Sequence, residues 1–201
     1  MASVSPVATT FVLVRHGETD WNRERRFQGH ADVSLNGAGR GQARKLADAL
    51  ADESFTAAYS SPLRRALETA EIVAARLGIA VEPSAGLMEV DVGSWSGLTT
   101  TEVEQRFPDG FARWVETRAG GWTDGETYDE LGVRVVAELH EIARRHPEER
   151  VLAVTHGGAI RSVLAVIACV SFASGRVRIG FVENCEVVRV AVRDGEIEAV
   201  D

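Results

Sequence analysis

The sequence predicts an α/β fold, a three-layer α/β/α sandwich around a mostly parallel central sheet with an antiparallel edge. Three observations carry that prediction. Two short apolar runs, Phe11 to Val14 and Val151 to Val154, lead into histidine-glycine steps at His16-Gly17 and His156-Gly157. Runs of this kind, followed by helical patterns, read as parallel strands covered on both faces. Strand-like and helix-like segments then alternate along the chain, as they do in a sheet flanked by helices. Two extended segments around Asp194-Gly195 form a terminal hairpin signal, which supplies the antiparallel edge.

Each element has its own justification. Met1 to Thr9 reads as a flexible leader, and residues 10–201 as a single domain, because no repeat, low-complexity stretch or linker divides them. After the first strand comes a polar loop, Glu18 to Asn36, whose length marks it as functional. A helix from about Gly39 to Asp52 carries Ala43, Leu46, Ala47 and Leu50 at helical spacing. A strand at Ala57–Ser60 leads through Ser61-Pro62 into a helix bearing Ala66, Leu67, Ala70, Ile72, Val73 and Leu77. Proline suits its first turn, and Gly78 its C-terminal cap. Val81 opens a brief extended segment, and Leu87 to Gly97 is a loop containing Glu89 and Trp95. Helical patterns resume near Glu102 and Phe111. Thr127-Tyr128-Asp129-Glu130 has the spacing of a capping box, opening a long helix toward His146 with a stripe of Leu131, Val135, Leu139 and Ile142. A strand at Val151–Val154, a helix at Ala159–Val170 and the hairpin of Glu186–Val192 and Glu196–Val200 complete the chain.

Composition excludes some functions. With 201 residues, 45% of them hydrophobic, the chain has ample material for a core. A net charge of -8 argues against a general nucleic-acid or membrane-surface binder, while leaving room for a local cationic pocket. Cys169 and Cys185 both sit in apolar stretches, which predicts buried thiols in a reducing cytosol and no disulfide or metal pair. The longest apolar run, Val163 to Val170, is far shorter than the roughly 20 residues of a bilayer span. The start of the chain lacks signal-peptide features, so a soluble, cytoplasmic protein is expected.

In open α/β sheets, ligands bind in the crevice beyond the carboxyl ends of the strands. Two histidines delivered there, one preceded by Arg15, point to a site. Arg15 beside His16 places a fork-shaped cation next to an imidazole, which suits an oxyanion. Arg64 and Arg65 fall in the first turn of a helix, whose N-terminus itself favours anions. Neighbouring side chains diverge, so only one of these two arginines can face a pocket.

Leu13-Val14-Arg15-His16-Gly17-Glu18-Thr19, Ser60-Ser61-Pro62-Leu63-Arg64-Arg65-Ala66 and Thr155-His156-Gly157-Gly158 together resemble the histidine phosphatase superfamily, in its phosphoglycerate-mutase-like branch. Trp21-Asn22, Gln28-Gly29, Leu35-Asn36, Gly39 and the stretch from Met88 to Gly97 extend the match in the family's order. The resemblance implies that His16 is a nucleophile that becomes phosphohistidine. Arg15, Arg64, Asn22 and a charged His156 would hold the phosphoryl oxygens, with Arg65 at the surface and Glu89 as proton donor. Gln28, Gly29 and Gly157 would complete the phosphate site, and Asp91 is a nearby rival to Glu89. Neutral imidazole is a competent nucleophile, and two guanidiniums offset the charge of a transferring phosphoryl group. No metal or other cofactor is expected, since no carboxylate or Cys/His cluster has ligand spacing.

Mutases of this branch typically follow the acid-base glutamate with an Arg-His-Tyr-Gly run and carry a later insertion with paired arginines. This chain reads Glu89-Val90-Asp91-Val92-Gly93 and Gly158-Ala159 after His156-Gly157. It therefore looks like a short phosphatase of the branch, hydrolysing a small phosphorylated metabolite, with phosphoglycerate mutase as the alternative. A non-catalytic phospho-ligand-binding module is a second alternative, disfavoured because His16, Glu89 and the arginines are all present. Substrate-side candidates are Arg25, Arg26, Gln28, His30, Trp95, Arg113, Trp114 and Trp122, the tryptophans dividing evenly between lid and core roles. A monomer or homodimer fits equally, the hairpin edge being available for pairing.

Overall fold

The computed structural model describes residues 8–117, 119–171 and 180–200. Strand β1 (Thr9–Arg15) is followed by a one-turn helix α1 (Asp20–Arg23), helix α2 (Gly37–Ala49), strand β2 (Ala57–Ser60), helix α3 (Arg64–Leu77) and the short strand β3 (Val81–Pro83). Helices α4 (Thr100–Arg106), α5 (Pro108–Thr117) and α6 (Tyr128–Arg145) come next. Strand β4 (Arg150–Thr155), helix α7 (Gly157–Ile167) and the strands β5 (Val187–Arg193) and β6 (Glu196–Ala199) close the chain.

The six strands form one sheet in the order β3-β2-β4-β1-β5-β6. β3, β2, β4 and β1 run parallel, and β5 and β6 add the expected antiparallel edge. Period-two alternation sorts the strand residues between two cores. Phe11, Leu13, Tyr59, Val151 and Ala153 pack with Leu131, Val135, Leu139 and Ile142 of α6 and with Ile160 and Val163 of α7. Val12, Val14, Ala58, Leu152 and Val154 pack with Leu46 and Ala47 of α2 and with Ala66, Ala70 and Val73 of α3. Both faces are covered, which is why the strands read as continuous apolar runs. Burying each of these large aliphatic side chains stabilises the fold by about 1.5–3 kcal/mol.

Local signals set the helix ends. Thr127 Oγ1 accepts from the Glu130 N–H at 3.2 Å while the Glu130 carboxylate accepts from the Thr127 N–H at 2.8 Å, so the capping box opens α6 as expected. Gly78 ends α3 in the left-handed region at φ 70°. Asn36 caps α2 through Gly39 N–H at 2.8 Å, so that helix starts two residues before the expected Gly39 and gives way at Leu50.

Three expectations need correction. Thr9 belongs to β1, where its hydroxyl donates to the His146 carbonyl at 2.7 Å; residues 1–7 of the expected leader lie outside the described residues. Helix α7 stops at Ile167, short of Val170, because Cys169 turns left-handed at φ 53°. Its N–H then meets the Val166 carbonyl at 2.9 Å and the Val170 N–H meets the Ala165 carbonyl at 3.0 Å, the pair of bonds that closes a Schellman cap. That cap leaves Cys169 exposed, although its apolar neighbours suggested burial. Cys185 is half-buried, and desolvation pushes its thiol up to about 12, so it is unreactive. Among the described residues, no helix is long and apolar enough to cross a membrane.

Candidate active site

Parallel register brings the two histidines together. Arg15 of β1 lies opposite Thr155 of β4, and the next residue of each strand is a histidine. The His16 N–H donates to the Thr155 carbonyl at 3.0 Å, which levels the two strand ends. The imidazoles meet edge to face, with ring centroids 5.2 Å apart. His16 Nδ1 lies 2.7 Å from the Gly17 carbonyl; as a carbonyl only accepts, Nδ1 carries the proton and the lone pair is left on Nε2. Behind it, Asn184 donates to the His16 carbonyl at 2.9 Å and the Gly17 N–H donates to Thr69 Oγ1 at 3.0 Å. Gly17 has no room for a side chain, because a Cβ would sit 2.6 Å from the Gly39 carbonyl oxygen.

Burial, then Arg65 and Arg15, holds His16 well below the usual histidine range, so its ring is neutral. His156 is held down in the same way by burial, Arg65, His16 and Arg15. The expected charge on His156 is therefore absent. His156 Nε2 is 2.8 Å from Ser61 Oγ, and its buried Nδ1 has no protein partner.

The arginine assignment reverses. Arg64 is 64% exposed, its backbone N–H donates to Asp32 at 2.7 Å and its guanidinium stays with that carboxylate at 3.6 Å. Arg65 is fully buried and lines the site, donating to the carbonyls of Ala31 and Gly29, both at 2.8 Å. The cause is helical phase. Arg65, Ala66, Thr69, Ala70, Val73 and Ala74 form the buried stripe of α3, and Arg64 sits just off it. That stripe was the signal able to choose Arg65 from sequence. Arg15 donates to the Val182 carbonyl at 2.6 Å. The Nε atoms of Arg15 and Arg65 are buried without a protein partner. Burial pulls Arg65 down to about 10, so it is still a cation at neutral pH.

Glu89 faces this cluster from the loop ahead of the Gly93–Trp95 turn. Its carboxylate accepts from the Val90 N–H at 2.9 Å and from the Gly158 N–H, in the first turn of α7, at 3.1 Å. A side chain at Gly158 would collide with that carboxylate. The Glu89 carbonyl in turn accepts from His30 at 2.8 Å and from Arg134 at 3.2 Å. Arg134 also ties down the Gly86 and Met88 carbonyls and pairs with Glu126 at 2.7 Å, a staple that sequence reasoning missed. Asp91 is occupied elsewhere: its carboxylate accepts from the Gly93 N–H at 2.9 Å and does not line the pocket.

Residues 11–201 match the family model described as "Histidine phosphatase superfamily (branch 1)". The chain belongs to this superfamily. Its likeness to "Phosphoglycerate mutase-like protein 4" of Arabidopsis thaliana is 43% identity, covering 76% of this chain and 68% of that one. It is 36% identical to the "Metal-independent phosphoserine phosphatase" of the same plant, over 95% of this chain and 79% of the relative. The solved structure of YhfR from Bacillus stearothermophilus superposes with a TM-score of 0.89 at 32% identity, covering 96% of each chain. As a member of the superfamily, the chain is a phosphatase-type enzyme on a phosphoglycerate-mutase-like sandwich, as the sequence predicted.

In this histidine phosphatase the expected Asn22, Gln28, Gly29 and Gly157 all line the pocket. Asn22 Oδ1 accepts from the Thr19 N–H at 3.1 Å, which leaves its amide N–H2 for the pocket. Of the substrate-side candidates, Arg26 and Gln28 line it too. Arg25 and His30 are exposed, and Arg113 bonds the Gly121 carbonyl at 3.3 Å. The tryptophans are core: Trp95 is buried, with ring centroids 5.1 Å from Phe27, 5.4 Å from Trp122 and 6.5 Å from Trp114. Tyr128, Arg161, Phe181 and Val182 line the pocket and were not foreseen. Arg161 had a faint signal, standing one helical turn beyond Gly157 on the same face of α7.

Proposed function

We propose that the protein is a metal-independent phosphomonoester hydrolase acting on a small phosphorylated metabolite through a phosphohistidine at His16. The observation that carries this is the neutral His16, its Nε2 lone pair free, among the partnerless Nε atoms of Arg15 and Arg65 and the partnerless Nδ1 of His156. Three polar groups already buried and unsatisfied are prepared for an anion, and they are fixed before the reaction begins. Preorganised cations and donors around the phosphoryl oxygens are most of what phosphoryl transfer requires.

In the first step His16 Nε2 attacks phosphorus, the ester P–O bond breaks, and the alcohol oxygen leaves with the proton of Glu89. Nδ1 keeps its proton on the Gly17 carbonyl, which accommodates the positive ring of the phosphorylated histidine. In the second step the Glu89 carboxylate takes a proton from water, that water attacks phosphorus, and the P–N bond breaks to release inorganic phosphate and neutral His16. Arg15, Arg65, Asn22 and His156 hold the phosphoryl oxygens throughout. Water is favoured over a second substrate hydroxyl because Glu89-Val90-Asp91-Val92-Gly93 contributes no cation, and Asp91 is spent on its own turn. Residues 9–201 work as one domain, whose described strands form one sheet with the pocket at its carboxyl edge. Arg15, Arg26, Arg65 and Arg161 line that pocket while the chain as a whole is acidic, which supports a small ester over nucleic acid. The two unpaired cysteines fit a cytoplasmic setting, as a monomer or homodimer.

The test is turnover in EDTA of a phosphomonoester panel beside 3-phosphoglycerate with its bisphosphate primer, scoring inorganic phosphate and 2-phosphoglycerate separately. Phosphate release is expected, with a radiolabelled, acid-labile phosphoenzyme trapped in the wild type and missing from H16A. Turnover surviving in H16A, or 2-phosphoglycerate formed without phosphate, would overturn the proposal.

A further inference from the structure

Glu89 stands on a stretch, Met88 to Val92, that belongs to neither helix nor strand. The carbonyls around it therefore have no ladder to join and must find donors elsewhere. Three elements supply them. The Leu87 carbonyl accepts from Thr155 Oγ1 of β4 at 2.6 Å, and the Asp91 carbonyl accepts from the Glu126 N–H, just ahead of α6, at 2.8 Å. Between these two anchors the Met88 and Glu89 carbonyls both accept from the Arg134 guanidinium of α6 at 3.2 Å, and the Gly86 carbonyl accepts from it at 3.0 Å. His30 gives the Glu89 carbonyl a second donor at 2.8 Å.

Arg134 reaches the loop because α6 passes close to it. A Cβ on Gly86 would lie 2.6 Å from Cβ and Cγ of Glu138, which stands one turn after Arg134 on the same face of the helix. Glu126 grips the guanidinium from the other direction, with Oε1 2.8 Å from Nε and Oε2 2.7 Å from Nη2, and this two-pronged pair fixes the plane of the fork. The Glu126 carbonyl accepts from Trp122 Nε1 at 2.8 Å, so the carboxylate has a firm base. Glu89 lines the pocket and Arg134 does not, so the guanidinium bears on the chemistry only through the backbone it holds. We infer that Arg134 is a positioning residue for Glu89, setting the place from which that carboxylate reaches the leaving oxygen. Proton transfer is sensitive to such placement, since a displacement of about 1 Å costs about 10²-fold in rate.

The inference rests on the proposed role of Glu89 as proton donor, and leaving groups test both. The substrates are the alkyl phosphate turned over fastest in the panel above and p-nitrophenyl phosphate, whose phenolate departs with little need of a proton. R134Q should slow the alkyl phosphate by about 10–100-fold in kcat/KM and the p-nitrophenyl ester far less. R134K, which keeps the charge and loses the fork, should fall between R134Q and the wild type. In an E89Q background R134Q should add little to the alkyl-phosphate loss, because residues that act as a unit are not additive. A guanidinium that only steadied the fold would slow both esters alike, and its loss would multiply with that of E89Q. Either of those results, or unchanged turnover in R134Q, would overturn the inference. Should R134Q not fold, R134K carries the same comparison: selective slowing supports the inference and uniform slowing overturns it. E89Q alone keeps the two failures apart. If it slows both esters alike, the proton-donor reading is wrong; if it is selective and the Arg134 variants are not, only the Arg134 assignment is wrong.

Discussion

His16 and His156 stand edge to face with ring centroids 5.2 Å apart, although 139 residues of sequence lie between them. Their meeting is a property of the sheet. β1 and β4 are neighbours in parallel register, so equal positions at the two strand ends become one site. Both rings are buried and neutral, and the fixed charges around them come from arginines on β1 and α3.

The first prediction separates adjacent arginines. R65Q should lower kcat/KM by about 10²–10³-fold, as expected when a preorganised donor to a transferring group is lost. It should also destabilise the fold by about 1–3 kcal/mol, because the Gly29 and Ala31 carbonyls lose their donor. R64Q, at an exposed position, should stay near wild type in both turnover and thermal melting. Equal losses in the two variants would contradict the placement of Arg65.

Leaving-group chemistry tests Glu89. A general acid matters most when the departing alkoxide is basic and little when it is a stabilised phenolate. E89Q should therefore slow hydrolysis of an alkyl phosphate by about 10²–10⁴-fold and that of p-nitrophenyl phosphate far less. Uniform slowing across leaving groups would remove the carboxylate from the proton-transfer step.

Acid should weaken the fold through the histidine pair. In the unfolded chain each imidazole titrates near 6.5, whereas in the folded protein His16 and His156 titrate well below it. Between those values the unfolded state binds more protons, so stability rises with pH in this window and is lost as pH falls from about 6.5. Each histidine contributes a slope of up to about 1.4 kcal/mol per pH unit. Urea midpoints measured from neutral pH down to about 5 should show this fall, and H156N should remove about half of the histidine slope. A flat profile would mean that the rings are charged in the native state.

Much of the fold could be read locally. The apolar runs ending at His16 and His156, the Thr127 to Glu130 capping box, Pro62 and Gly78 around α3, and Asp194-Gly195 in the hairpin each act within a few residues. Backbone geometry and hydrogen bonding at that range leave few choices. Errors fell where one local signal outweighed another, or where a choice depended on a neighbour distant in sequence. The apolar company of Cys169 suggested burial, but the Schellman cap turned it outward. Trp95, Trp114 and Trp122 could not be divided between lid and core by sequence, because their packing is with one another and with the distant Phe27: Trp95 and Trp114 against Phe27, and Trp122 against Trp95.

By itself the sequence determined the α/β class, the pair of strand-end histidines and the kind of chemistry that Arg15, His16, Glu89 and His156 supply. Tertiary structure alone decided that Arg64 pairs with Asp32 at the surface, that His156 is neutral, and that Asp91 turns onto the Gly93 N–H instead of the pocket. The physical reason is that residue type and spacing constrain which groups reach a site, whereas burial, charge state and the aim of a side chain depend on everything packed around it.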